Sequence, residues 1–598
     1  MSYKVFQNNL NEGITIYESL LKPKEIVLMV GSAIDIFPPT NILNGMTMSE
    51  EIIKLLVSFL PSNKSIIRKL LVKIPFEYIN EKCPNYEVVK RIIINECYPK
   101  KPNDLHKAIA DLVQSGIIHS IITPNYDLCL ENYLPNNKPL FHVNSYGDSK
   151  GINQTSRILF KIHGSADTLH EKNMVCRLSE EGLLPRWKKD VLVKNLSGRH
   201  LVVLCYSGLD FEICPEILNI QLHSLIWNFL RNPNRRKSEL TEYAKRMLEK
   251  FNKSTTYGDV SFSLSNLGVK IASIIPDKKI LHKNKSDFGK KLKSAFSEIE
   301  LLEWSCALMA QPGYARQTKE VSDKLLVKIK KPSLDSGKYY SFQAEALFFM
   351  GKYRDAVKFC GKASEIFLNF NNWKLYYLSE IRKIDSLRCW GKNKKAYKVL
   401  NTIRSELINK SKLPPEIKKD FITRLQLQEI LLLREHYELA KLLNNKITEM
   451  KKRKEIEAIL KSIVPIEEKK GNWFDLQQCH LWADRVGINF SSIYKGPLQP
   501  LENIEGYRKL GHIIAEMMCA RDALRKNSKS ISRKTFEKYI EYAQIINSNS
   551  ELWKLYIAKN KYYKIDNFWE RVEWIKPFFR CQYTIPMRLR KFISERTI

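Results

Sequence analysis

Thr123-Pro124-Asn125-Tyr126-Asp127 and Lys161-Ile162-His163-Gly164-Ser165 are the stretches whose reading decides the fold. Each closes a short apolar run: Ile117-Ile118-His119-Ser120-Ile121-Ile122 before the first, Ile158-Leu159-Phe160 before the second. Ser207-Gly208-Leu209-Asp210 follows Leu201-Val202-Val203-Leu204 in the same manner. Nearer the N-terminus, Glu25-Ile26-Val27-Leu28-Met29-Val30-Gly31 ends on a glycine and opens into a segment that Pro38-Pro39 keeps from being helical. Strands buried in a parallel sheet read as unbroken apolar runs, and such sheets deliver polar groups at their carboxyl edge. The four stretches are therefore expected to gather into one nucleotide pocket.

Working outward, helical spacing fills the intervals. Met48, Ile52, Leu55, Leu56, Phe59 and Leu60 make one stripe over 46–60, and Leu105, Ala108, Ile109, Leu112 and Val113 make another, with Gly116 as its stop. A short helix carrying Leu128, Leu130 and Tyr133 is predicted after Asp127, a helical stretch over 179–195, and a helix near 215–221. Further strands are predicted at 139–143, 157–162 and 200–205, with an apolar run at 224–230. Strands alternating with helices predict an α/β, Rossmann-like parallel sheet covered on both faces.

Past the basic, polar stretch Arg231-Asn232-Pro233-Asn234-Arg235-Arg236-Lys237 the texture changes. From about residue 285 the patterns are helical only. Ala344 to Ala356, with Gly351-Lys352-Tyr353 at its centre, reads as two antiparallel helices meeting at a tight turn. Gly391 stands forty residues after Gly351 and precedes Ala396; Leu433-Arg434-Glu435-His436-Tyr437 precedes Ala440. This is an imperfect repeat of helix pairs, similar to tetratricopeptide repeats. Segments 508–524, 532–547 and 550–562 keep the helical pattern without the signature. The predicted division is an α/β domain over 1–235, a linker and helical connector over 236–300, and an all-α helical-repeat domain over 301–598.

At 598 residues the chain is too long for a single core. It holds twelve cysteines but no C-x-x-C pair, which argues against a thiolate zinc site or a redox dithiol, and no metal is expected. Its formal charge of +34 favours anionic partners, nucleic acid among them, although no nucleic-acid-binding motif accompanies the charge. The densest basic run, Lys451-Lys452-Arg453-Lys454, reads as a solvated face or loop between helical segments. No apolar run is long enough to cross a bilayer, and Met1-Ser2-Tyr3-Lys4 does not begin a secretion signal, so no membrane partner and a cytoplasmic location are expected.

Each strand-end residue has a bland reading beside a chemical one. Gly31 is either a simple turn or a place where backbone approaches phosphate. Asn125 and Asp127 either cap the helix after them or hold ribose hydroxyls and water. His163 is either structural or a general base. GxSxG, HExxH and Walker A sequences are absent.

Taken in order, Gly31, Asn125-Tyr126-Asp127, His163-Gly164 and Tyr206-Ser207-Gly208-Leu209-Asp210 resemble the motifs of the sirtuin-like (SIR2) fold over about residues 15–235. The closer resemblance is to bacterial SIR2-like proteins of antiphage defence. It rests on Thr123-Pro124-Asn125-Tyr126-Asp127-Leu128 with Glu131, on Lys161-Ile162-His163-Gly164-Ser165, and on Tyr206 to Phe211. The resemblance implies a SIR2-type domain that takes NAD as substrate and cleaves its nicotinamide–ribose bond. By it, Asn125 and His163 are the catalytic pair, and Gly31, Ser32, Ala33, Asp127, Ser207 and Asp210 bind the dinucleotide. It also implies a homo-oligomer, helical repeats that sense a phage protein trigger, and abortive infection through NAD depletion. Sirtuin deacylases carry a zinc module with two C-x-x-C pairs; its absence here speaks for water as the acceptor. Three departures stand out: Ala33 and Asp35 in the Gly-rich loop, and Cys205 where the family has glycine. The alternative reading is a catalytically degenerate nucleotide-binding scaffold whose helical repeats bind protein partners.

Overall fold

The computed structural model describes most of residues 26–228, 278–494 and 532–548, with two short strands at Val5–Gln7 and Thr255–Tyr257 and isolated positions elsewhere. The helical segments expected at 508–524 and 550–562, and the boundary at 231–237, lie outside the described residues apart from isolated positions. Two compact units account for the chain: Met1–Ile52 with Phe76–Phe296, and Ile53–Pro75 with Ser297–Ile598.

The first unit is built on six parallel strands: β1 (Ile26–Val30), β2 (Ile118–Thr123), β3 (Phe141–Val143), β4 (Ile158–Lys161), β5 (His200–Leu204) and β6 (Ser224–Asn228). Their order across the sheet is β3-β4-β2-β1-β5-β6. All residues of β1, β2, β4 and β5 are buried, which is why these strands read as unbroken apolar runs. Alternation within the strands is nonetheless strict. Val27 and Met29 of β1, Leu201 and Val203 of β5, and Ile158 and Phe160 of β4 face one core. Ile26, Leu28 and Val30, Val202 and Leu204, and Leu159 face the other. The first core is closed by the helices Arg186–Leu196 and Ile213–Asn219, the second by Asp104–Gln114. The expected α/β sheet covered on both faces is the observed one.

Connectivity places the candidate site. The chain leaves β1 for β2 on one side and later returns to β5 on the other, so the switch point lies at the carboxyl end of β1. Thr123 of β2 pairs with Lys161 of β4, and Asn125 and His163 each stand two residues beyond that pair. Thr123 Oγ1 donates to Val30 O at 2.7 Å and accepts from Asn125 N at 3.1 Å, locking the ends of β1 and β2 together.

Two local expectations are corrected. Residues after Asp127 form consecutive turns rather than a helix, because Asp127 Oδ1 accepts from Cys129 N at 2.9 Å and starts an Asx turn instead. Lys451-Lys452-Arg453-Lys454 lies inside the helix Lys446–Lys470, on its solvated side, where Lys452 pairs with Glu455 at 2.7 Å. The helices Lys64–Leu71, Phe76–Glu81 and Tyr86–Cys97 had no counterpart in the sequence reading. Lys278–Ala295, within the expected connector, is tied to the first unit through Asn284 Nδ2 to Asn41 O (2.8 Å) and Lys285 to Glu50 (3.1 Å).

The second unit is helical among its described residues. One turn recurs along it. Gly351, Gly391, Asn371 and Asn444 all adopt φ between 55° and 79°, and the residue after each donates to a carbonyl five positions back, as Lys352 N does to Leu347 O and Lys392 N to Leu387 O. This is the Schellman arrangement, which needs a residue at ease in the left-handed region. Each turn joins two consecutive helices, such as Leu334–Phe349 with Tyr353–Asn369 and Trp373–Cys389 with Asn393–Asn409. Ala356 and Ala396 are fully buried where these helices meet. Gly337 serves the same closeness, since a Cβ there would stand 2.6 Å from the Phe367 ring. The third expected instance is corrected: Leu433 to Tyr437 lies within the continuous helix Pro415–Leu442, and the turn comes later, at Asn444. Among the described residues no helix is long and apolar enough to cross a membrane.

Candidate functional site

Past the carboxyl ends of β1, β2, β4 and β5 the polar side chains fall into two arms and a strut. The first arm runs from Asn125 inward. Its Nδ2 donates to Asp35 Oδ2 at 2.8 Å, and Asp35 Oδ1 stands 2.8 Å from His106 Nε2. Nδ1 of His106 is 2.8 Å from Asn103 Oδ1 and 3.2 Å from Asn103 N, the N-terminal capping box of the helix Asp104–Gln114. Asn103 Nδ2 donates in turn to Ile34 O at 2.8 Å, tying that helix to the loop after β1. Every member of the chain is buried. Burial, and then the neighbouring Asp127, push the Asp35 carboxyl up to about 7 against the opposing pull of His106 and Lys161. Among the described residues nothing bonds Asn125 Oδ1, although that atom is buried.

The second arm is His163, whose Nε2 stands 2.9 Å from Glu212 Oε1. Both side chains are buried. Lys188, on the helix Arg186–Leu196, reaches Ile162 O at 2.5 Å; burial lowers its ammonium and Glu212 holds it up in part. Gly164 has φ +85°, and a Cβ there would meet Asn173 O at 2.4 Å, so only glycine lets the chain pass at this point.

Between the arms runs Lys161. Its Nζ donates to Asp127 O and lies 3.2 Å from Glu131 Oε1. Burial alone would lower this ammonium; Glu131, Asp127 and Asp35 outweigh it and raise it. The Asp127 carboxyl, which burial would raise, is held below its ordinary value by Lys161, His106 and the Cys129 N–H.

The loop after β1 carries one glycine, Gly31, in the stretch Gly31-Ser32-Ala33-Ile34-Asp35. Gly31 N donates to Leu204 O at 2.9 Å, and a Cβ on Gly31 would stand 2.4 Å from Cys205 O. Its missing side chain admits the backbone of β5, and its N–H is committed to the sheet. Ser32 and Ala33 lie in the 3-10 turn Ser32–Ile34, with Ala33 packed against the second core. Asp35 turns its charge inward to Asn125 and His106 rather than toward the loop's outer side. Cys205 adopts φ +56°, a left-handed conformation that costs a non-glycine residue about 1–2 kcal/mol and accounts for the glycine expected there. Ser207 is exposed; Asp210 lies outside the described residues. Asp35, His106, Lys161, Lys188 and Glu212 were not assigned to the site from the sequence. Of these, Lys161 opens a quoted motif, Asp35 lies in the loop after Gly31 and Glu212 follows Phe211, whereas His106 and Lys188 stand apart from every quoted motif.

Asp35, His106, Asp127 and Cys129 also bring four ligand-type atoms within 4.8 Å of one another. These are donors that divalent cations accept. Asp35 and His106, however, approach to 2.8 Å, whereas two ligands about 2.0 Å from one tetrahedral zinc stand about 3.3 Å apart. Within the cluster Asp35 and His106 are hydrogen-bonded to each other.

A SIR2-like domain family model matches residues 119–220, the span from β2 to the end of the helix Ile213–Asn219. Asn125, Asp127, His163, Ser207 and Glu212 fall inside the match. It associates the first unit with NAD-related chemistry in the broad sense. No curated protein matches the chain.

Proposed function

We propose that the chain is an NAD hydrolase that cleaves the nicotinamide–ribose bond with water as acceptor. The observation that carries the reading is Asn125: its amide nitrogen is held by Asp35, and its carbonyl oxygen is buried and unbonded two residues beyond β2. A buried acceptor of this kind is costly unless something fills it, and a ribose hydroxyl or the attacking water has the right chemistry. When nicotinamide departs it takes the electron pair of the glycosidic bond, and positive charge builds on the ribose. The carbonyl dipole of Asn125 and the carboxylate of Asp127 stabilise that charge. Water then forms the new bond to the ribose carbon and gives its proton to the His163 imidazole, which stands 2.9 Å from Glu212.

In this reading Ser32, Ala33, Ser207 and Asp210 border the dinucleotide, with Gly31 shaping their loop rather than touching phosphate. The helical repeats bind a phage component or a second copy of the chain, and activation depletes NAD in abortive infection. The reading is tested by nicotinamide release from purified protein and by NAD levels in cells with and without phage. Loss of both in His163→Ala and Asn125→Ala is expected; turnover retained in either variant overturns the assignment. One observation favours a second reading, the degenerate scaffold: the Gly31 N–H bonds Leu204 O and offers nothing to a diphosphate. NAD binding by calorimetry without turnover would select it.

A further inference from the structure

We propose that Asp35 and His106 form a positioning pair that fixes which way the Asn125 amide faces. The idea rests on the NAD-hydrolase reading for its consequence, but its geometry stands apart from it. A side-chain amide has two similar ends, and which end meets substrate decides whether it donates or accepts. Asp35 contributes two oxygens with different partners: Oδ1 toward His106 Nε2 and Oδ2 toward Asn125 Nδ2, both at 2.8 Å.

One proton lies on the line from Oδ1 to Nε2 in either protonation pattern. It belongs to an Nε2–H imidazole or an imidazolium facing a carboxylate, or to a carboxylic acid facing an imidazole protonated on Nδ1. According to the tautomer, His106 Nδ1 either donates to Asn103 Oδ1, 2.8 Å away, or accepts from the Asn103 backbone N–H at 3.2 Å. In both patterns Asp35 Oδ2 keeps only acceptor character, so the Asn125 end that faces it must be the donor, Nδ2. The carbonyl Oδ1 is thereby turned the other way, where it is buried and unbonded among the described residues. Were the proton on Oδ2 instead, the amide would be stable flipped, with its donor toward the substrate. His106 removes that alternative by holding the proton at Oδ1. Asn103 completes the device by capping the helix that carries His106 and bonding the loop that carries Asp35.

The test compares Asp35→Leu with Asp35→Asn. Leucine removes the acceptor at nearly constant volume. Asparagine can restore it, its carbonyl accepting from Asn125 while its amide donates to His106 Nε2. Two readouts are taken on the full chain. Selective asparagine 15N labelling, with the Asn125 signal assigned by its loss in Asn125→Ala, reports solvent exchange of the Asn125 side-chain amide without any substrate. The amide is expected to be protected in wild type and Asp35→Asn and to exchange at least tenfold faster in Asp35→Leu. With NAD, Asp35→Leu is expected to lose on the order of 10²-fold in kcat with KM little changed, and Asp35→Asn to recover most of it. An Asn125 amide equally protected in folded Asp35→Leu overturns the pair's role. Should wild type not turn over NAD at all, the exchange experiment still decides the inference, and only the hydrolase reading falls.

Discussion

The two units of this chain organise their polar residues in opposite ways. In the α/β unit the site groups are buried, and their partners are distant in sequence: Asp35 with His106 and Asn125, Gly31 with Leu204, His163 with Glu212. In the helical unit the defining polar event is local, a left-handed residue whose successor bonds back five positions, repeated at Gly351, Asn371, Gly391 and Asn444. The difference teaches where a substitution is felt. A site residue in the first unit is supported by several elements at once, so its loss is read in chemistry. A turn residue in the second holds one helix pair, so its loss is read as a small, local change in stability.

The largest effect is expected at the end of the first unit's chemistry. His163→Ala and Asn125→Ala should each lower NAD hydrolysis by about 10²–10⁴-fold while circular dichroism stays that of wild type. Next comes Glu212→Gln, which keeps shape but removes the charge beside His163. A drop in kcat of about 10–10²-fold is the expected result. An unchanged kcat would detach Glu212 from the imidazole.

Gly31→Ala probes the packing of the same unit without touching a charged group. Its Cβ would press on the Cys205 and Tyr206 backbone at 2.4–2.5 Å, so destabilisation of about 1–3 kcal/mol is expected in urea denaturation. Gly391→Ala, in the other unit, must hold alanine in the left-handed region and should cost about 1–2 kcal/mol, with NAD turnover of the purified protein unaltered. A loss of turnover in that variant would break the comparison by showing that the helical unit reaches the site.

A further effect is one of pH. The Asp35 carboxyl is raised from 3.8 to about 7, so the folded state holds its proton more tightly than the unfolded chain does. Stability contributed by the protonated form is full below about pH 4 and is lost as the pH climbs toward 7. Asp35→Asn has no such loss. The melting temperature of the variant relative to wild type should rise by about ten degrees between pH 4 and 7 and then level off.

Much of the fold was legible. Strands buried on both faces leave continuous apolar runs, and β1, β2, β4 and β5 were read from these within a residue or two. The helix stop at Gly116 was readable because left-handed turns favour glycine, and Gly351 and Gly391 marked the repeated helix pairs. Asn371 and Asn444 make the same turn and escaped notice, since asparagine is common in many other settings. Tyr437 misled for the converse reason: an aromatic at the right interval is also what the buried face of a long helix carries.

By itself, then, the sequence determined the order of strands along the chain, the change from sheet to helices, and the placing of Asn125 and His163 just beyond strand ends. These are local properties, written in hydrophobic period and turn chemistry. Only the tertiary structure decided what Gly31 and Asp35 do. Both looked like parts of a phosphate loop, the one apt and the other out of place. The strand order sets Gly31 against the backbone of β5, and the helix Asp104–Gln114 brings His106 to Asp35. A residue's chemical role depends on which atoms face it, and at separations of 71 and 90 residues no local pattern encodes that.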